Sequence, residues 1–293
     1  MSRRVAVLVL LVASAVWGAT FPISKIALEQ VHPLVFLALR FDIAAVILGI
    51  ALVTTRRGRR PFRAGWSAIG TGVLVFGAMA FQFYGIQRTS ASNAAFLSCL
   101  FSVFIPPLNL LLYRQFPEPR GIFALAIAVA GIVCLSATDG FTPQLADLLV
   151  LTSAALFAYQ IIIVGRLTLL GQVGALELAF MQVITAAVLA HLILRFTGAS
   201  FDVPFVPRVW GAIVFSGAVA TALGYYVQTA VQRHMPAENA GLIYTTEIAW
   251  GGIFAWLILG EVLSARGYLG AALVLASVLI IEVRWPTRRN NLP

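Results

Sequence analysis

Residues 90–113 read SASNAAFLSCLFSVFIPPLNLLLY, and residues 236–259 read PAENAGLIYTTEIAWGGIFAWLIL. Each stretch is mainly apolar over about 20 positions, the length that an α-helix needs to cross the hydrocarbon core of a bilayer. In lipid, only helices and closed barrels satisfy every backbone hydrogen bond, and a barrel would show segments of about ten alternating residues. These two long apolar stretches therefore predict membrane-spanning helices.

The composition of the whole chain agrees with that prediction. Hydrophobic residues make up 60% and charged residues 11% of the 293 positions, whereas soluble domains have roughly 45–50% and about 25%. A soluble protein of this size could not bury so much apolar surface, so the composition excludes a soluble enzyme, a disordered chain and a secreted disulfide scaffold. The net charge of +9 does not indicate nucleic-acid binding, because its largest cluster, at residues 56–63, lies between two apolar stretches. Such a cluster is typical of a cytoplasmic membrane loop.

Ten apolar segments follow one another along the chain, separated by short connectors that contain proline, glycine and arginine. They cover approximately residues 5–28, 32–53, 66–86, 90–113, 120–137, 146–163, 175–195, 209–231, 236–259 and 267–283. With a cytoplasmic N-terminus, 14 of the 20 Lys and Arg residues lie on the cytoplasmic side, 5 lie on the other side, and Arg40 lies within a span. This excess predicts a multi-pass protein of a bacterial inner (plasma) membrane with both termini in the cytoplasm.

The two halves of the chain repeat each other weakly. The matching stretches are residues 37–45 with 178–186, 87–88 with 232–233, and 120–121 with 266–267, at offsets of 141 to 146. Because five segments per half is an odd number, the second half would enter the membrane from the opposite side. The predicted fold is therefore an all-α membrane protein of ten transmembrane helices, in which two inverted five-helix repeats, residues 1–140 and 141–293, surround a central cavity.

The fourth and ninth segments contain helix-breaking residues at matching positions. Pro106 and Pro107 correspond, at an offset of 145, to Gly251 and Gly252. Each proline removes a helical hydrogen bond and frees the carbonyl group four residues earlier. Interruptions at corresponding places in two halves point to the substrate site of a carrier, although proline and glycine are also common in membrane helices. We interpret the four residues as candidate hinges.

Two ionisable residues lie inside predicted spans, where each charge costs roughly 2.5–3.5 kcal/mol at a helix centre. Glu247 lies midway along the ninth segment and Arg40 lies in the second. Glu247 either binds a substrate amine or a proton, or serves as a structural carboxylate. Arg40 either binds a carboxylate, or reaches the membrane surface or ties two helices together. Asp42 is two positions from Arg40, so their side chains point about 200° apart on a helix and cannot pair with each other.

Polar and aromatic residues predict the lining of the cavity. Thr221, Tyr225, Gln228 and Gln232 share one helical face, and lipid cannot satisfy their hydroxyl and amide groups. Helix packing and aromatic belts explain each such residue on its own, but they explain less well why these polar and aromatic residues would all border one cavity. The scattered cysteines and histidines predict no metal or cofactor. The candidate substrate-binding residues are Trp17, Phe21, Phe83, Ser98, Ser102, Phe157, Gln160, Tyr225, Gln228, Tyr244 and Glu247.

Several short motifs follow one another in a characteristic order. They are Ala15-Val16-Trp17-Gly18 with Phe21-Pro22, Leu39-Arg40-Phe41, Thr89-Ser90-Ala91, Pro236-Ala237 and Leu259-Gly260-Glu261. In these motifs the chain resembles the EamA-type carriers of the drug/metabolite transporter superfamily, and within it the bacterial aromatic amino-acid exporters. The resemblance implies a ten-helix carrier whose first, third, fourth, sixth, eighth and ninth helices surround the substrate, with the fifth and tenth at the periphery. Small multidrug relatives carry a glutamate in their first span; this chain has none there, so their proton-exchange mechanism is not carried over.

These observations predict a carrier that exports amino acids, aromatic or apolar ones, or related small metabolites by alternating access. Its expected partners are a small-molecule substrate and the lipid bilayer, without nucleic acid, and a monomer is compatible with the sequence. A multidrug or quaternary-cation exporter, with Glu247 as the counter-charge, is the alternative. A non-transporting membrane protein, such as a lipid-modifying enzyme, is a third possibility, but the spans contain no recognisable set of catalytic residues, so we do not expect an enzyme.

Overall fold

The computed structural model describes residues 3–55, 65–88, 94, 97–136, 145–171, 173–259 and 265–282. The basic cluster at residues 56–63 and the motif residues 89–91 and 260–261 lie outside the described residues. The helices are α1 (Arg3–Leu28), α2 (Pro33–Thr54), α3 (Gly65–Ile86), α4 (Phe101–Tyr113), α5 (Pro119–Ser136), α6 (Leu145–Leu169), α7 (Ala175–Thr197), α8 (Pro207–Val214, Phe215–Leu223 and Gly224–Gln232), α9 (Ala237–Tyr244 and Thr246–Leu259) and α10 (Ala265–Glu282).

Seven helices in the described part of the chain are long and apolar enough to cross a membrane: α1, α2, α3, α6, α7, α8 and α9. The other three, α4, α5 and α10, are apolar but shorter. The chain is therefore a multi-pass α-helical membrane protein, as its composition predicts. A full set of ten spans and the inverted orientation of the second half stay predictions.

Local sequence signals fix the beginnings of several helices. Pro33 occupies the first turn of α2, and the His32 side chain accepts a hydrogen bond from the Leu34 N–H group at 3.3 Å. At the start of α7, the Glu177 carboxylate accepts a hydrogen bond from the Gly174 N–H group at 3.1 Å. These contacts satisfy backbone donors that lack a partner in the first turn of a helix.

The largest interfaces join a helix of the first half to a helix of the second half. Thus α5 packs on α10, α2 on α7, and α1 on α9. Two further helix pairs have an equivalent pair in the other half. α3 packs on α6 as α8 packs on α1, and α3 packs on α7 as α8 packs on α2. This pattern is the one that a twofold relation between the halves produces.

One close helix crossing depends on a glycine. A Cβ atom at Gly18 of α1 would lie 2.7 Å from the backbone oxygen of Glu247 and 2.8 Å from the backbone nitrogen of Gly251, both in α9. Small residues let membrane helices approach each other this closely. Gly18 therefore has a packing role at the crossing of α1 and α9.

The interruptions of α4 and α9 do not lie at the predicted hinges. α4 is helical through Pro106 and Pro107, and the second segment of α9 is helical through Gly251 and Gly252. A proline removes one N–H group, and neighbouring helices can hold a membrane helix in place around that loss. The prediction of interruptions at these four residues is therefore wrong.

Tight turns occur instead at Leu100 and Thr245, which are themselves 145 positions apart. Their backbone angles, φ −65° and ψ −7° for Leu100 and φ −61° and ψ −18° for Thr245, are close to 3₁₀ values. The Leu100 carbonyl accepts from the Val103 N–H group at 2.9 Å, and the Thr245 carbonyl accepts from the Ile248 N–H group at 3.2 Å. Hydroxyl groups of nearby residues bond to carbonyls three positions back, as Thr245 does to Leu242 at 2.6 Å, and such bonds compete with the regular helical pattern.

The middle of α8 is a π-helix, from Phe215 to Leu223. There the Thr221 hydroxyl donates to the carbonyl of Ser216, five residues back, at 2.7 Å. The polar stripe was expected on one regular helix, but Thr221 belongs to the π segment, whereas Tyr225, Gln228 and Gln232 belong to the α-helical segment that follows. All four side chains are buried, as their shared face predicts.

Candidate functional site: a cavity between the two halves

A cavity that is partly open to its surroundings lies among the helices of both halves. Ten of the eleven candidate substrate-binding residues line it. They are Trp17, Phe21, Phe83, Ser98, Phe157, Gln160, Tyr225, Gln228, Tyr244 and Glu247. The structure thus brings the predicted residues together, and their contact with a substrate stays a prediction.

The eleventh candidate, Ser102, is not part of the lining. Its side chain is 3% exposed, and its hydroxyl donates to the Cys99 carbonyl at 3.0 Å. The tight turn at Leu100 interrupts the regular helix just before Ser102, so the regular helical spacing behind the prediction for Ser102 does not hold across this turn. Ser98 and Phe101, on either side of the turn, do line the cavity.

Seven other residues also line the cavity, and of these only Arg40 has contact with a ligand among its interpretations from the sequence. An amide inside an apolar segment was a usable signal for Gln82, whose side chain donates to the Ser98 hydroxyl at 3.0 Å. A charge inside a span was a usable signal for Arg40, although the resemblance did not imply that the second helix reaches the substrate path. Nothing in the sequence distinguishes the apolar ones from ordinary core residues. The seven residues are Thr20, Arg40, Met79, Gln82, Ile86, Phe101 and Ile161.

Aromatic rings form one wall of the cavity, with Trp17 at its centre. The Trp17 ring lies 5.3 Å from the Tyr244 ring and 6.5 Å from the Tyr225 ring, measured between centroids. Phe101 meets Tyr244 edge to face at 6.4 Å. The Trp17 indole N–H group donates to the Ala220 carbonyl, in the π segment of α8, at 2.8 Å. This bond fixes the orientation of the indole ring, which makes it a rigid surface for an apolar or aromatic ligand.

Amide side chains connect α6, α7 and α8 behind this wall. The Gln228 side chain donates to the Gln160 oxygen at 3.1 Å, and the Gln160 nitrogen donates to the Gln182 oxygen at 2.6 Å. One turn further along α8, the Gln232 side chain donates to the Ile161 carbonyl at 2.9 Å. A chain of this kind holds Gln160 and Gln228 in one arrangement at the cavity surface.

Two opposite charges share the cavity. Glu247 follows the tight turn at Thr245 and is partly exposed to the cavity. Arg40 is 1% exposed; its Nε–H group donates to the Thr221 hydroxyl at 2.5 Å, and its guanidinium group lies 5.5 Å from the centre of the Phe83 ring. Among the described residues, no carboxylate lies within 4.0 Å of the Arg40 guanidinium group. Both ionisable side chains therefore lie where a ligand in the cavity would meet them.

A second ionisable pair lies on the outer surface of the bundle. Asp42 of α2 and His191 of α7 are joined by a 2.8 Å contact between the carboxylate and the Nε2 atom. Their side chains are 41% and 47% exposed, respectively. Asp42 thus points away from the cavity that Arg40 lines, as their separation of two positions predicts.

The helical membrane fold and its central cavity define a polytopic membrane protein built to hold a small molecule. The EamA-like transporter family matches residues 4–137 and 144–283, so the chain belongs to this family and is a membrane transporter. An uncharacterized transporter of Archaeoglobus fulgidus is 28% identical over 285 residues, covering 96% of this chain and 87% of the relative. The uncharacterized transporter YetK of Bacillus subtilis is 21% identical over 284 residues, covering 93% of this chain and 85% of YetK.

A solved crystal structure shows the same fold. It superposes on this chain with a TM-score of 0.78 and covers 96% of this chain and 97% of its own, at 20% sequence identity. At this identity the likeness supports the arrangement of the helices and carries no statement about substrate.

Proposed function

We propose that this transporter exports amino acids with aromatic or apolar side chains, or related small metabolites. The observation that carries the proposal is the composition of the cavity, in which a wall of rings around Trp17 faces amide groups and two opposite charges. An amino acid needs aromatic or apolar surface for its side chain and a few polar groups for its charged head. Arg40 and Glu247 provide one group of each sign.

Transport by alternating access has its support in the packing between the halves. Two related halves can exchange conformations and thereby open one site to each side of the membrane in turn. The tight turns at Leu100 and Thr245 lie beside the cavity residues Phe101 and Glu247, where a change in backbone conformation would reshape the site directly. The family match on either side of residue 140 supports the division into repeats of residues 1–140 and 141–293.

The proposal includes an inner-membrane location with both termini in the cytoplasm. Its support is the distribution of 14 against 5 basic residues between the two sides. An Arg59→Cys variant should react with an impermeant thiol reagent only from the cytoplasmic side. Labelling from the opposite side of intact cells would overturn the orientation.

Export of drugs or quaternary cations is the second candidate. Glu247 beside aromatic rings supports it, because a cation is attracted both to a carboxylate and to the face of a ring. Arg40 in the same cavity argues against it, because a guanidinium group repels a ligand whose only charge is positive. The zwitterionic substrate therefore fits the cavity better.

Counterflow in proteoliposomes tests the proposal. Vesicles loaded with unlabelled phenylalanine should accumulate labelled phenylalanine, and unlabelled leucine should compete with it. Tetraphenylphosphonium, a lipophilic cation, should compete poorly. Exchange of the cation without exchange of amino acids would favour the second candidate. Exchange of neither, in vesicles that contain folded protein, would contradict both.

A further inference from the structure

We infer that Arg40 binds a carboxylate group of the transported substrate, so that the substrates of this carrier are carboxylates, and zwitterions in particular. The inference rests on the proposed function only in taking the central cavity as the substrate site. It assigns a binding role to a residue of α2, a helix that the sequence resemblance does not place around the substrate.

Within the described residues, most N–H donors of Arg40 have no hydrogen-bond partner. A guanidinium group has five N–H donors and no acceptor. Only the Nε–H group is bonded within the described residues, to Thr221, although the side chain is 1% exposed. Arg40 is also one of the residues that line the cavity. A buried charge with unsatisfied donors is unfavourable unless a ligand of opposite charge completes it.

The structure also holds the Arg40 guanidinium group in one orientation. The Thr221 hydroxyl accepts from Nε of Arg40 and donates to Ser216 across the π-helical turn. The backbones also lie close together, because a Cβ atom at Gly217 would lie 2.9 Å from the Arg40 carbonyl oxygen. π segments inside α-helices often occur at functional sites, and this segment positions Arg40 through Thr221.

The remaining donors of Arg40 suit a carboxylate group of the ligand. A guanidinium group whose Nε–H is already bonded still offers its terminal nitrogens, which suit the two oxygens of a carboxylate. A phosphate group is also an anion, but Glu247 lines the same cavity and would repel a dianion. A carboxylate with a nearby ammonium group satisfies both Arg40 and Glu247.

A purely structural role does not account for this arrangement. An arginine that only ties α2 to α8 needs partners around its whole guanidinium group, as buried charges generally do. The Phe83 ring at 5.5 Å covers one face of the group and offers no hydrogen-bond acceptor at the terminal nitrogens. Thr221 is thus a positioning residue, whereas Arg40 would touch the substrate.

Binding to the purified full-length protein tests the inference with three probes. L-phenylalanine carries both charges, 3-phenylpropionate lacks the ammonium group, and 2-phenylethylamine lacks the carboxylate. In Arg40→Gln, we expect the affinities for phenylalanine and 3-phenylpropionate to fall about tenfold or more, the effect of losing a charged hydrogen bond. The affinity for 2-phenylethylamine should not fall.

Two further variants keep the test independent of the folding of Arg40→Gln. Arg40→Lys keeps the charge but loses the planar arrangement of donors, and Thr221→Val keeps the shape of its side chain but releases the guanidinium group. Both should weaken binding of the two carboxylates selectively. Asp42→Asn, on the same helix but on the outer surface, is the matched control and should bind all three probes as the wild type does.

The outcomes separate the inference from the proposed function. Equal losses for all three probes, or unchanged binding of carboxylates, would overturn the role of Arg40 even if phenylalanine counterflow persists. Selective loss of carboxylate binding supports that role even if no amino acid is transported. In that case the proposed function would be wrong, but the role of Arg40 would stand. A wild-type protein that binds neither carboxylate would overturn the inference directly.

Discussion

Arg40 and Asp42 are two residues apart on α2, yet they lie in opposite surroundings. Arg40 borders the cavity, and none of the described carboxylates is within ion-pair distance of it. Asp42 lies on the outer surface and contacts His191 at 2.8 Å, next to the exposed apolar side chains Val46 and Val188. Within the described residues, the same helix therefore carries one ionisable side chain with no carboxylate at ion-pair distance, Arg40, and one in contact with another ionisable side chain, Asp42.

The difference shows how a membrane protein can use ionisable residues in two ways. On the surface, a polar group has no water to bond with, so a neighbouring side chain must satisfy it. In the interior, an incompletely paired charge costs free energy in the empty state, and binding of a complementary ligand removes that cost. The comparison therefore predicts that interior charges govern transport, whereas the surface pair governs stability.

The largest effect should come from removing the second interior charge. Glu247→Gln preserves the shape of the side chain but removes the negative charge that would attract a substrate ammonium group. We expect the rate of phenylalanine counterflow at low substrate concentration to fall about tenfold or more, since a hydrogen bond between charged groups is lost. The melting temperature of the purified variant should stay close to that of the wild type.

A matched control exists in α7. Glu177 caps the start of that helix away from the cavity, so Glu177→Gln makes the same chemical change without touching the site and should transport at the wild-type rate. Wild-type transport by Glu247→Gln, with an unchanged pH profile, would show that Glu247 is a structural carboxylate. The prediction that interior charges govern transport would then be wrong for Glu247.

Hydrophobicity predicts the positions of most helices closely, because lipid imposes one requirement on every span. The second segment, expected at about residues 32–53, is the helix Pro33–Thr54. The sixth, expected to end at about residue 163, continues to Leu169, since Arg166 places its guanidinium group over the Tyr113 ring and remains helical. A charge that ends an apolar window does not have to end a helix.

Backbone irregularities and part of the site could not be predicted in this way. The π segment of α8 and the turns at Leu100 and Thr245 depend on hydrogen bonds and packing that a periodicity count does not contain. Prolines and glycines were the wrong signal for those turns, because α4 is helical through Pro106 and Pro107 and the second segment of α9 is helical through Gly251 and Gly252. Polar and aromatic residues at helical spacing correctly indicated most of the residues that line the cavity, because polar groups are unfavourable where they face lipid.

The aromatic wall between the two interior charges should have a smaller and more selective effect. Trp17→Ala removes a ring that contacts Tyr244 and Tyr225, a contribution of about 0.5–1.5 kcal/mol, or roughly two- to tenfold in affinity. Binding of phenylalanine should weaken more than binding of alanine, as measured by competition in counterflow.

Trp17→Phe keeps a ring but loses the bond to Ala220, so it separates stacking from orientation. Equal losses for both substrates would assign Trp17 to folding and leave the interior charges as the basis of selectivity.

The smallest effect should come from the surface pair. Asp42→Asn, His191→Asn and the double variant form a cycle in which the coupling free energy should be about 0.6 kcal/mol, the average for polar pairs between membrane helices. Unfolding in detergent micelles measures that coupling, and phenylalanine counterflow of each variant should match the wild type. The coupling is small because the polar groups of a membrane protein also find partners in the unfolded state, so little is lost when one native partner is removed. A loss of counterflow in Asp42→Asn as large as that in Glu247→Gln would mean that the surface pair takes part in the transport cycle, and the contrast between the two faces of α2 would then be wrong.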